Sequence, residues 1–224
     1  MKINVLKKFF LLVALLTMLI MPQSSNASTF ELALGGWYIM PSFSLSAFGY
    51  SFDVPGVDAF KFIARAKLEH PITALPNISA IYVPLGSGMS QIDVALYYGI
   101  PGLDTATAGL LNIHLGLDAK IFTFPTILVT YTGIPSALPL PMIYFDLVLS
   151  PPSLPLFVDL EMRYLPNIIY GITAFDMTAR AKYSIIKYAF VGAGYRYQTM
   201  GTSYSGVTTT IKFHGPFVEA GVSI

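Results

Sequence analysis

The residues best equipped for chemistry in this chain of 224 are three histidines, His70, His114 and His214, and a set of charged side chains that recur at every second position. A structural or catalytic metal needs several converging His, Cys or carboxylate ligands. The chain has no cysteine, its histidines fall in separate segments, and His70 borders a turn, so the reading is no metal and no cofactor. Nucleophilic catalysis needs a hydroxyl or thiol beside a base that a third group orients. Asp118 lies four positions beyond His114 on the same side of an alternating segment, but no nucleophile motif accompanies the pair. The expectation is a protein that is not an enzyme.

The charged residues are more informative. Residues 59–70 set Phe60, Phe62, Ala64, Ala66 and Leu68 against Lys61, Ile63, Arg65, Lys67 and Glu69. That two-residue period belongs to a β-strand with one apolar and one polar face. The same arithmetic puts Asp93, then Asp118 and Lys120 beside His114, on the polar side of their segments. It does the same for Asp159, Glu161 and Arg163, for Asp176, Arg180 and Lys182, and for Arg196, Lys212 and Glu219. Isolated charges in a narrow interior are costly and paired ones tolerable, so this set reads as a mutually neutralising network. A narrow polar path for small solutes is the alternative.

Such faces need strands that meet lipid on one side and a polar interior on the other. In residues 217–224, Val218, Ala220, Val222 and Ile224 alternate with Phe217, Glu219, Gly221 and Ser223, the pattern of a closing strand that pairs back onto the first. The start of the chain has the layout of a secretory leader: Lys2, Lys7 and Lys8, an apolar stretch over 9–21, and Ser25-Asn26-Ala27 as a cleavage site. The reading is a signal peptide over 1–27 and a barrel over 28–224. Without the three leader lysines, ten basic side chains face twelve acidic ones, with no basic patch for nucleic acid. Charged residues make up only 11% of the chain, about half the fraction usual in soluble domains. Two uncharged stretches, 71–91 and 121–145, suggest membrane helices on hydropathy, but prolines at 76, 84, 125, 135, 139 and 141 interrupt them.

The alternation then gives, in order, a first strand over 30–40 containing Gly35-Gly36, whose small size fits a bend, a bulge or close approach, and a long loop over 41–57. The strand at 59–70 is followed by strands near 78–83, 91–98 and 111–121, and a long Pro-rich apolar loop over 125–141. Strands near 143–149, 157–164, 171–183 and 187–198 lead to a last one from Thr208. In that last strand Thr210, Lys212 and His214 read as inward, and the outward positions change from odd to even after Gly215-Pro216, a place for a bulge. The count is ten strands in an antiparallel up-and-down transmembrane barrel, with eight as the alternative. Long connections after strands one, five and nine would lie outside. Tyr97, Tyr98, Tyr164, Tyr183, Tyr188 and Tyr197 read as interfacial girdles. The uncharged loop over 126–140, with Leu45, Phe48 and Tyr50, is expected to cap the mouth and offer a hydrophobic site.

Several stretches together resemble a family of small Gram-negative outer-membrane β-barrel proteins labelled by a Gly-Gly motif. They are Leu34-Gly-Gly-Trp-Tyr38, Asp93-Val-Ala-Leu-Tyr-Tyr98, Leu115-Gly-Leu-Asp-Ala-Lys120, Pro141-Met-Ile-Tyr144, Gly194-Tyr-Arg-Tyr-Gln198 and Gly215-Pro-Phe-Val218. The resemblance implies a barrel of this size in a bacterial outer membrane and carries over no activity or functional residues. Ile224 departs from the aromatic residue that more often ends such barrels. The expected protein is a monomer with a structural or binding role, solvated by outer-membrane lipid and handled by the barrel-assembly machinery.

Overall fold

The computed structural model describes residues 29–224 except 48, 49, 71, 73, 87, 127–129, 131–134, 170 and 205. The leader read over 1–27 lies outside them. Eleven strands follow one another: β1 (Thr29–Ala47), β2 (Tyr50–Pro55), β3 (Ala59–Glu69), β4 (Asn77–Gly86), β5 (Met89–Gly99), β6 (Leu111–Thr123), β7 (Ala137–Leu149), β8 (Leu156–Ile169), β9 (Ile172–Ile186), β10 (Ala189–Tyr204) and β11 (Val207–Ser223). One short helix, α1 (Leu103–Ala106), sits between β5 and β6.

Ten of these strands close a barrel. Each pairs antiparallel with its neighbour in the order β3 to β11, and β11 returns to β1, which pairs with β3. The final residue takes part, since Phe30 and Ile224 exchange backbone hydrogen bonds of 2.7 and 2.9 Å. The ring closes through β11 and β1, so no strand is left as the free edge of the sheet, the condition for a β-structure to span a membrane. The two ends of the described barrel, Thr29 and Ile224, share one side, which faces the periplasm in bacterial barrels with an even strand number.

β2 is not an eleventh wall strand. It pairs only with residues 42–47 of β1, while β3 pairs with residues 29–39. Residues 56–58 lie between these two ladders and absorb one extra residue, so odd positions face the lumen in β3 and even positions take that side in β2. The expected loop over 41–57 is therefore a hairpin arm that continues the wall. Strands β10 and β11 extend beside it, with Tyr204 paired to Val207. The long connections expected after strands one and nine are thus strands, and the one expected after strand five falls between Thr123 and Ala137, partly outside the described residues. β7 also begins earlier than expected: Pro139 and Pro141 are strand residues opposite Ile121 and Ala119.

The outside is apolar. Leu32, Leu34, Phe62, Leu96, Ile143, Val158, Val191, Val218 and Val222 are exposed on it, with Tyr183 and Tyr188 near the periplasmic end. Tyr97 is an exception to the expected girdle, because it is fully buried in the lumen. The Gly-Gly pair is explained by close approach on both faces. A Cβ on Gly35 would collide with the Val218 carbonyl of the closing strand, and one on Gly36 with the Phe60 ring that lies over it.

Candidate functional site

The lumen is built in tiers, each supplied by the polar positions of several strands. Nearest the periplasmic end is a vestibule of about 380 Å³, lined among others by Glu31, Lys67, Glu69, His114, Lys182 and Phe190. Nδ1 of His114 donates to the Asp146 carboxylate at 2.9 Å, and Nζ of Lys67 reaches the same carboxylate at 3.3 Å and Glu69 at 3.1 Å. Tyr97 Oη donates to Glu69 at 3.1 Å, and its ring packs on His114 and Tyr144. His114 thus pairs across strands with Asp146, not with Asp118.

Above the vestibule lies a belt of ion pairs. Arg65 bridges Glu31 and Glu219, the latter at 2.8 Å. Arg180 holds Asp159 at 2.9 Å, Glu219 at 3.2 Å and Glu161 at 3.5 Å, while Lys182 reaches Glu31 at 3.1 Å. Arg163 sits between Asp118 at 3.3 Å and Glu161 at 3.5 Å, and Tyr144 Oη donates to Glu161 at 2.8 Å. Higher still, Asp93 and Asp176 share two cations: Lys120 at 2.6 and 2.8 Å, and Arg196 at 2.6 and 2.7 Å. Gln91 and Gln198 each donate to this group at 2.8 Å. These groups are almost fully buried, and each Arg or Lys has at least one carboxylate within reach, the arrangement that makes buried charge tolerable.

The outer half of the lumen is apolar. Arg196 lies over the Trp37 ring at 5.3 Å, and Trp37 Nε1 donates to the Gly215 carbonyl at 3.1 Å. From there one buried cluster joins Trp37, Ile39, Ile63, Ile81, Val83 and Phe217, with Leu85 and Phe213 against it. A second joins Phe122, Leu140, Met142, Leu165 and Ala174. Leu138 and Leu140, expected in a mouth-capping loop, are therefore part of this wall. Phe48 and residues 127–129 and 131–134 of that expected cap lie outside the described residues. Between belt and clusters is a cavity of about 10 Å³, room for about one water.

The network read from sequence is thus brought together at Arg65, Lys67, Glu69, Asp93, His114, Asp118, Lys120, Asp159, Glu161, Arg163, Asp176, Arg180 and Arg196. Lys61 faces the lumen, but has no ion pair among the described residues. Lys212 does not belong. β10 and β11 stay in one register from Val207 to Val222, without a bulge at Gly215-Pro216. Phe213 therefore faces the lumen, while Lys212, Thr210 and His214 face outward. His214 Nδ1 shares a 2.7 Å hydrogen bond with the hydroxyl of Tyr195, an exposed residue of the outer face. Asp146 and Glu31 complete the network although the charge set first read from sequence omits them; their inward parity was the available signal. His70 binds its own turn, with Nε2 at 3.1 Å from the Pro76 carbonyl. Among the described residues no group of three His or carboxylate side chains is placed to hold a metal.

An apolar outside, a lumen of paired charges and a closed ring of antiparallel strands define an integral outer-membrane β-barrel. No family model and no curated protein matches the chain. It is similar in structure to the outer membrane protease OmpT from Escherichia coli, with a TM-score of 0.52 at 9% identity, covering 88% of this chain and 97% of that one. Looser likenesses are to Neisserial surface protein A, NspA (TM-score 0.29, 12% identity, 88% and 98% covered), and to Ail, the attachment invasion locus protein of Yersinia pestis (0.26, 8%, 88% and 99%). At 9% identity the likeness to OmpT speaks for the fold alone, and the other two superpose too loosely to add to it. The chain is a ten-stranded barrel of the bacterial outer membrane.

Proposed function

We propose that this barrel is closed and binds at its outer end, neither conducting solutes nor catalysing a reaction. The observation that carries this is the filling of the lumen along its height: a belt of paired charges, then two dry apolar clusters. Conduction needs a continuous series of sites that water or ions can occupy and leave. Binding is supported by the outer arm. On its lumen-side face Phe43, Leu45, Phe52, Val54 and Tyr50 line up, with Tyr50, Phe52 and Val54 at 71%, 62% and 55% exposure. The opposite face carries Ser42, Ser44, Ser46, Ser51 and Asp53, with Ser44 hydrogen-bonded to Asp53 and Ser46 to Ser51. An apolar surface held above a sealed lumen suits a hydrophobic ligand or partner. The absence of catalysis is favoured by the surroundings of His114: its pair with Asp146 is joined by Lys67 and the Tyr97 ring, and the Tyr97 hydroxyl is turned to Glu69.

The barrel is further proposed to be a monomer solvated by outer-membrane lipid, delivered by the barrel-assembly machinery through its closing strand, and a member of the Gly-Gly-labelled family. The close packing at Gly35 and Gly36 supports the last point. The test is single-channel recording of the mature chain in a planar bilayer. A folded, silent barrel is expected. Stable steps whose ion selectivity shifts in Arg65→Gln or Arg196→Gln would replace this reading with a narrow passive channel.

A further inference from the structure

The barrel wall is not zipped along its whole height. β3 and β4 pair from Leu68–Ile78 up to Ala64–Tyr82, where the ladder stops among the described residues although both strands continue. Beyond that point Ile63, Phe62 and Lys61 pair only with β1, and Val83 and Pro84 only with β5. The β7–β8 ladder ends in the same way at Ile143–Tyr164. Two steps beyond each last pair the register brings in proline: Pro84 opposite Phe62, and Pro141 opposite Pro166. Proline has no N–H to give a ladder, so these residues account for both seams. Unpaired backbone facing lipid is costly, and a seam at membrane depth is therefore a feature that needs a reason.

Behind the β3–β4 seam the lumen offers Ile63, Val83 and Leu85 from the apolar outer half. Beside it stands Lys61, half-buried and in register with Trp37. Each cation of the buried ion-pair network has a carboxylate partner; Lys61 has none among the described residues. On the outside Phe60, Phe62 and Tyr82 are exposed where lipid covers the wall.

We propose that this seam is a lateral entry and binding site for a single-chain anionic amphiphile from the outer leaflet, its chain against Ile63, Val83 and Leu85 and its head on Lys61. An ammonium without a partner beside apolar walls selects a negative head. Continuity of the seam with the lipid-covered face lets the chain enter without crossing water. Ile63 and Val83 are packed together behind the seam, and a single chain enters by parting side chains that no ladder bond holds. The proposal rests on the closed-barrel binding reading and names the ligand class.

Trp37, the sole tryptophan, is the built-in reporter. The mature chain in phospholipid vesicles would be titrated with bromine-labelled dodecanoate and with the matching uncharged dodecanol, at a pH where the acid is ionised. Saturable quenching is expected with the acid, about tenfold tighter than with the alcohol, one charged pair's worth. Lys61→Met should remove that preference and Lys61→Arg keep it, while Val83→Phe, which fills the seam, weakens both probes alike. Equal binding of acid and alcohol, unchanged in Lys61→Met, would overturn the anionic site but leave the binding barrel standing. No saturable quenching by either probe, in a barrel that is also silent in conductance, would overturn the amphiphile site while leaving the closed lumen intact.

Discussion

Arg196→Met tests whether the lumen charges are truly dry. Arg196 is fully buried and donates from Nη2 to Asp93 and Asp176 and from Nε to Asp176 at 3.2 Å. Its removal leaves two carboxylates sharing only Lys120. Breaking a buried pair by deleting one partner costs about 3–5 kcal/mol, against about 0–1 kcal/mol for a solvated surface pair. Loss of the guanidinium over Trp37 adds about 0.5–2 kcal/mol. The assay is urea unfolding in phospholipid bilayers followed by Trp37 fluorescence, which reports from beside the substituted residue. The expected loss is at least about 3 kcal/mol, with most of it recovered in Arg196→Met/Asp93→Asn, which removes charge of both signs. A loss below about 1 kcal/mol would mean water reaches this tier, and the sealed-lumen reasoning would fall. If the single variant does not assemble, the double variant must still do so.

Other substitutions separate neighbouring positions that look alike in sequence. Lys212→Gln should change stability by less than about 0.5 kcal/mol, because Lys212 faces outward on the arm, whereas Lys120→Gln should cost about 3 kcal/mol or more in the same unfolding assay. Gly35→Ala should cost about 1–3 kcal/mol and slow barrel closure, since its Cβ meets the closing strand's backbone. Gly36→Ala should be milder, because the Phe60 ring it meets can swing into lipid; equal costs would refute the asymmetry. Asp146→Ala strands Lys67 and His114 without their shared carboxylate and should cost about 1.5–3 kcal/mol, where Ser44→Ala on the outer arm should cost little.

The wall and most of the lumen set were legible because each barrel strand meets two solvents, and Arg65 or Asp176 can face only one of them. Partners were not legible: a single strand's pattern is silent on cross-strand stagger, so it shows Asp118 beside His114 on one face and gives no sign of Asp146 on the next strand. The larger miss has one physical origin. The apolar side of a strand faces lipid only inside the membrane. Above it the outside is water, and the preference inverts: Lys212, Thr210, Ser42 and Ser44 face out while Phe213, Phe43 and Leu45 face in. What looked like a parity change at Gly215-Pro216 is an unbroken β11 leaving the bilayer, with the extra residue absorbed at 56–58 on another strand. The prolines misled for a related reason. Pro139 and Pro141 signalled a loop, yet they sit in β7 beside a ladder that β8 does not complete, where the missing N–H of Pro141 is no loss. Inverted chemistry and unzipped prolines occur in the same outer half, so the places where the simple strand rule fails are the places where this barrel stops being a uniform wall and offers a surface to bind.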